Sequence, residues 1–451
     1  MILDKEYKGI FEELVSAYYN DNFDDKVDDL IYTKFKNEKE AKQIISSLCG
    51  VEFIEDNKKF IYNLKKEITN NAVKKNWLMR LEQCDEPCTK DGDIPHCMRA
   101  CPFDAILVNP IDNSKYIDYD ACLSCGECVK ACENGRYVDT VEFMPIYEMI
   151  KKGQKVIAAV APAISGQFGE NVTLDMLREA FVKIGFTDMM EVSFAADMLS
   201  IKEAVEFNKH ISSKEDLLIT SCCCPMWVGM LKKVYSDLVK DVSPSVSPMI
   251  ALGKVLKKID PEVKVVFIGP CIAKKAEAKE KDLVGIIDYV LTFEELKSIF
   301  NALEINPEEM KGIPTLEYSS RGGRLYASAG GVSEAVEEVI KELYPNKSEL
   351  FKAIQVSGVP ACKELLTKLQ NKELSATFIE GMGCVGGCVG GPKRLIDVDK
   401  GKAAVNKIAY ESPVKVATHS HVMDEILARI EITSLQDFEN PDKIEIFERD
   451  F

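Results

Sequence analysis

The chain has 451 residues, with 57 Lys and Arg against 73 Asp and Glu, a formal charge of −16, and 16 cysteines beside four histidines. That length allows two or three domains with cores of their own, and the acidity without any long basic block excludes a phosphate-binding surface and hence nucleic acid as a partner. No apolar run reaches membrane-spanning length and Met1 to Lys8 lack a signal-peptide layout, so a cytoplasmic protein without a membrane partner is expected, its cysteines serving metal or redox chemistry rather than disulfides.

Residues 1–75 read as a charged helical segment. Phe11, Leu14, Val15 and Tyr18 recur at i, i+3, i+4, i+7 and form one apolar stripe, which predicts a helical layer packed on the next domain. Cys49 reads there as a small buried hydrophobe.

Residues 76–148 carry two cysteine groups, Cys84-x3-Cys88-x8-Cys97-x3-Cys101-Pro102 and Cys122-x2-Cys125-x2-Cys128-x3-Cys132. A cubane needs four soft thiolates converging on one point, and x2 spacings in a tight loop supply three of them. In two-cluster ferredoxins the fourth cysteine of each run crosses to the other cluster. That rule assigns Cys84, Cys88, Cys97 and Cys132 to one [4Fe-4S] cluster and Cys122, Cys125, Cys128 and Cys101 to a second. The segment resembles a bacterial two-cluster ferredoxin, an α+β domain, with a stretched first run and Glu133 where a proline often follows. Four cysteines also suit a tetrahedral zinc site, the competing use of such a set.

Residues 149–451 alternate strands and helices, predicting a mainly parallel α/β framework. Strands are expected at Lys155–Val160, Asp216–Ile219, Val263–Ile268, Asp288–Leu291 and Ala376–Ile379, and a helix at Leu174–Val182. The remaining cysteines follow strands: Thr220-Ser221-Cys222-Cys223-Cys224-Pro225-Met226-Trp227, then Gly269-Pro270-Cys271-Ile272-Ala273-Lys274-Lys275, then Glu380-Gly381-Met382-Gly383-Cys384-Val385-Gly386-Gly387-Cys388. Carboxyl ends of strands are where open α/β folds bind ligands. The glycines of the third segment are expected to let backbone approach a bulky inorganic group.

In that order the three segments resemble the TSCCP-, PCxxKK- and ExMxCxxGCxGG-type signatures of the [FeFe]-hydrogenases, in the triple-cysteine form associated with group B. The resemblance implies a catalytic domain of two sheet-and-helix lobes around an H-cluster, a [4Fe-4S] cubane joined to a diiron subcluster with CO, CN and azadithiolate. It implies Cys224, Cys271, Cys384 and Cys388 as cubane ligands, with Cys388 bridging to the diiron unit, and Cys223 as the thiol that exchanges protons. The segment Ser193–Glu206 resembles the family's relay helix. Glu203 and Glu206 share a helical face, and with Ser243 the implied path is Glu206, Ser243, Glu203, Cys223. Lys274 is implied as a donor to cyanide, and Pro162, Pro248 and Met382 as pocket residues.

Implied partners are H2, protons, ferredoxin or a similar low-potential carrier, and maturation enzymes that make and insert the diiron unit. Departures from the family pattern are Gly269 for a methionine, Ala163 for a serine, and Gly391-Pro392-Lys393 for a longer glycine-rich ending. Cys222 and Cys362 are left over, and no glycine-rich phosphate loop supports nucleotide use. Two further readings share these motifs: an H2 sensor, and a hydrogenase-like iron–sulfur assembly protein without the diiron site.

Overall fold

The structure is a computed structural model that describes residues 5–53, 59–70, 77–81, 88, 94–132, 135–220, 223–315 and 319–451; Cys84 and Cys222 lie outside the described residues. Four helices come first: α1 (Lys5–Tyr19), α2 (Phe23–Lys34), α3 (Glu38–Leu48) and α4 (Phe60–Asn70). Asn37 caps α3 by accepting from the Lys39 and Glu40 amides, filling orphan donors of its first turn. The apolar stripe Phe11, Leu14, Val15 and Tyr18 is buried and belongs to the same core as the later sheets. Polar links fasten the layer, Tyr18 donating to Glu148 at 2.8 Å and Asn301 to Glu12 at 2.9 Å.

The cysteine-rich region follows a pseudo-repeated plan. Strand β1 (Leu78–Arg80) is followed by helix α5 (His96–Ala100), β2 (Ile106–Val108), β3 (Lys115–Ile117), helix α6 (Glu127–Ala131) and β4 (Tyr137–Asp139). β1 pairs with β4 and β2 with β3, both antiparallel, and the two short helices lie together. Helix α7 (Phe143–Lys151) leads on to the rest of the chain.

Two parallel sheets then form. Strand β5 (Val156–Val160), helix α8 (Leu174–Ile184), β6 (Asp188–Glu191), helix α9 (Ser193–His210), β7 (Leu218–Ile219), helices α10 (Pro225–Lys233) and α11 (Pro248–Ile259), β8 (Lys264–Gly269), helix α12 (Ala273–Glu277), β9 (Tyr289–Thr292), helix α13 (Phe293–Ala302), β10 (Ala353–Ser357) and β11 (Phe378–Met382) succeed one another. One sheet has the order β6-β5-β8-β9, the other β10-β11-β7, every pairing parallel. Strands covered on both faces read as near-continuous apolar runs, as Val265 to Ile268 does. β6 and β10 were not among the expected strands: Asp188-Met189-Met190-Glu191 lacks β-branched residues, and β10 is only half covered.

Helix α9 matters most for the site. Residues Ser193 to Phe207 are buried on every side, although they include Asp197, Lys202, Glu203 and Glu206. A helix buried all round that carries charge must pair that charge inside the protein. Among the described residues no helix is long and apolar enough to cross a membrane.

Candidate active site and iron–sulfur centres

Strand ends from both sheets deliver the third thiol set. Cys224 follows β7 and is the N-cap of α10, with Pro225 at the first helical position, where its missing N–H costs nothing. Cys271 stands two residues past β8, Cys384 two past β11, and Cys388 opens a short 3-10 turn. The Gly383 amide donates to Cys224 Sγ at 3.2 Å.

These four sulfurs are within electrostatic reach of one another. Burial first, and then the charge of Cys224, pushes the Cys271 thiol up to about 11. Burial and then Cys224 and Cys271 push Cys388 up to about 12, and burial with Cys271, Cys224 and Cys388 holds Cys384 well above its ordinary 9.0. Thiols buried together in this way become thiolates only when a multiply charged cation compensates them.

The second group forms a similar quartet. Cys101, Cys122, Cys125 and Cys128 line one small cavity with Ile106 and Ile117. Burial drives Cys125 up to about 12, with Cys122, Glu127 and Cys101 adding to it, and Cys128 higher still, with the other three sulfurs adding to it. The Ala105 amide donates to Cys101 at 3.2 Å and that of Ser124 to Cys122 at 3.3 Å, contacts that stabilise a thiolate and tune a cluster's potential. Of the first set, Cys97 feels Cys88 and Cys132, and the Arg136 amide donates to Cys132 at 3.3 Å; Cys84 lies outside the described residues.

No group of described His, Cys, Asp or Glu side chains closes tightly enough to hold a single metal ion. Tetrahedral zinc would draw four sulfurs to about 2.3 Å from one point. Four thiolates brought to one place are a donor set that suits an iron–sulfur cluster as well. The sets are also neighbours in series: Tyr137 sits between Cys97 and Cys128 in one apolar cluster with Ile272, and Glu127 of the second quartet's loop faces Cys384.

Lys274 lies beside the third set, buried, with Nζ 2.7 Å from Glu277 Oε2 and its charge felt by Cys271 and Cys388. An ammonium carries three N–H donors and Glu277 engages one at most, so donors remain for a ligand. Cys223, 7% exposed, lines a small cavity with Cys224, Ser245, Ser247 and Glu277. Pro162 starts the turn after β5, Pro248 starts α11, and Met382 ends β11, fully covered.

Packing against protein also requires small residues in the third segment. A Cβ on Gly381 would lie 2.2 Å from the Trp227 ring, and one on Gly387, at φ +93°, 2.5 Å from the Ala329 nitrogen. Protein atoms leave no room for a side chain at either position. Gly269 has a similar cause: a side chain there would meet the Phe267 ring at 2.5 Å.

The carboxylates of α9 are interior groups. Glu203 is fully buried and accepts from the Thr220 hydroxyl at 2.9 Å. Glu206 accepts from Ser243 at 2.6 Å on one oxygen and from Lys202 at 2.6 Å on the other. Thr220, Lys202 and Ser245 were missed in the sequence. Their signal was weak, because Lys202 stands in a helix that mixes apolar and charged residues, and it is its burial that shows it must have partners.

Comparison with known proteins agrees with this arrangement. Residues 154–392, more than half of the chain, match the family "Iron only hydrogenase large subunit, C-terminal domain". Iron hydrogenase 1 of Clostridium pasteurianum is 25% identical over 397 residues, covering 66% of this chain and 69% of that protein. The cytosolic Fe-S cluster assembly factor NAR1 homolog of Schizosaccharomyces japonicus is 22% identical over 232 residues, covering 43% and 45%. A solved [FeFe]-hydrogenase chain superposes with a TM-score of 0.54 at 24% identity over 66% of this chain and 94% of its own, which shows the fold. The chain belongs to the family of the iron-only hydrogenase large subunit, C-terminal domain.

Proposed function

We propose that this protein is an [FeFe]-hydrogenase that interconverts 2 H⁺ + 2 e⁻ and H2, taking electrons from ferredoxin or a similar carrier through two [4Fe-4S] clusters. The observation that carries the reading is the pairing of Cys224, in a quartet drawn from both sheets, with its neighbour Cys223, a separate buried thiol. The residues fit an H-cluster. Cys224, Cys271, Cys384 and Cys388 would hold its cubane, and Lys274, buried with N–H donors to spare, would face the diiron side.

When bound, that group supplies the splitting and formation of H2. The protein's own work is to exclude water, carry electrons and move protons. The sets at Cys88/Cys97/Cys132 and Cys101/Cys122/Cys125/Cys128 would hold the two further clusters, with Cys84 completing the first. Glu206, Ser243, Glu203 and Cys223 would carry protons inward, each a group able to donate and accept. Thr220 holds one Glu203 oxygen and so fixes that carboxylate's orientation.

Hydrogen evolution from reduced ferredoxin or reduced viologen, after loading with the diiron unit by maturation enzymes, tests the assignment. Loaded protein that neither evolves nor oxidises H2 would be the sensor. The assembly-factor relative supports a second reading, a protein that binds iron–sulfur clusters but takes no diiron unit; iron-replete protein that never acquires CO and CN would favour it.

A further inference from the structure

Lys202 has no exposed side-chain surface, and a buried ammonium is costly unless every proton finds an acceptor. Its Nζ lies 2.6 Å from Glu206 Oε1, 3.1 Å from Ser245 Oγ and 3.1 Å from Glu448 Oε1. One cation therefore joins two carboxylates of unequal exposure, 8% for the Glu206 side chain and 28% for that of Glu448. Within this group, Glu448 is the residue that meets water.

The segment bearing Glu448 is fastened over the relay. Val246 N–H donates to Phe447 O at 2.8 Å, Arg449 N–H to Pro244 O at 2.9 Å, and Ser245 bridges to Glu448 in antiparallel fashion. Lys254 donates to the Glu448 carbonyl at 2.8 Å, and Arg449 is drawn away from Glu448 by Glu280 and Asp282. Glu445 and Glu277 are further charged groups of this corner.

We propose that Glu448 and Lys202 form the solvent end of the proton route, outside Glu206; this rests on the hydrogenase reading above. Hydronium from bulk water protonates the Glu448 carboxylate and leaves water. Lys202 passes one proton to Glu206 Oε1 and takes the proton from Glu448, ending as the ammonium it began as. Glu206 then holds the proton beside Ser243, whose hydroxyl is 2.6 Å from its other oxygen. One proton has moved inward, and Glu448 and Lys202 are left as they began.

Glu448→Gln keeps the shape and removes the proton-carrying group. In matured holoenzyme it is expected to lower H2 evolution about tenfold or more, to steepen the loss toward high pH, and to leave the CO and CN infrared bands in place. Glu448→Asp should recover part of the rate, and added acetate should partly rescue Glu448→Ala. A Glu448→Gln enzyme with the parent's rate and pH profile overturns the proposal, as does a slow Glu448→Ala enzyme that acetate cannot rescue, because a purely structural ion pair behaves that way. A second readout needs no diiron unit: in the unmatured protein, Glu448→Gln should move the titration of the Glu206 acid carbonyl band, and an unmoved titration overturns the shared proton. Parent protein that takes up no CO or CN sinks the hydrogenase reading, while the band titration still decides this one.

Discussion

The Ser243 hydroxyl donates to Glu206 Oε2 at 2.6 Å, with neither residue more than 6% exposed. Because Lys202 holds the other oxygen, the Glu206 carboxylate is oriented toward Ser243, and a methyl in place of the hydroxyl breaks the chain at that point. Ser243→Ala is expected to slow H2 evolution about ten- to a hundredfold without moving the cofactor's infrared bands. An unchanged rate in a gas-evolution assay would remove Ser243 from the route.

Cys223 and Cys224 both line the cavity with Ser245 and Glu277, but Cys224 also receives the Gly383 amide and is felt by Cys271, Cys384 and Cys388. Cys223→Ala is therefore expected to retain iron and infrared bands while nearly abolishing turnover. Cys224→Ala should lose cubane iron, read by chemical iron assay. The opposite pattern would shift the ligand register by one.

A buried ion network ties β4 to α13. Lys275 donates to Glu295 and to the Thr140 carbonyl, both at 2.5 Å, and Lys393 lies 2.8 Å from Asp139 and 3.3 Å from Glu294. Burial pushes the Glu295 carboxyl up against the pull of Lys275, so removing that cation strands a charge. Lys275→Met is expected to destabilise the protein by about 3–5 kcal/mol in urea unfolding. An unchanged midpoint would show the network to be dispensable.

Asp197 of α9 gives a pH prediction. Burial raises its carboxyl from 3.8 to about 7 against hydrogen bonds from Ser320 and Gly323. Its stabilising contribution is full below 3.8, where folded and unfolded forms are both protonated, and is lost as pH rises through about 7, because the unfolded chain ionises first. Thermal stability should fall across that window by an amount on the order of a few kcal/mol, and Asp197→Asn should flatten the fall. A parallel profile for the variant would contradict this.

Much of the site was legible because its chemistry is local. Strand, then cysteine, then helix is written into the stretches around Cys224 and Cys271, strand and then cysteine into that around Cys384, and the x2 spacings mark the Cys122–Cys128 loop. What escaped depends on distant partners. Lys202 reads as one charge on a mixed helix until Ser245 and Glu448 close on it. Lys393 reads as a break in a glycine-rich ending until Asp139 is found beside it. The short strand β6, Asp188–Glu191, has no local preference for extension and forms because β5 pairs with it in register.

The most direct test of the central claim is infrared spectroscopy of the protein produced with maturation enzymes and replete in iron. Terminal CN and CO bands that shift on exposure to H2 are expected, since Cys224, Cys271, Cys384 and Cys388 would hold the cubane and Lys274 would face the diiron unit. An iron-replete, matured sample with neither kind of band would contradict the claim.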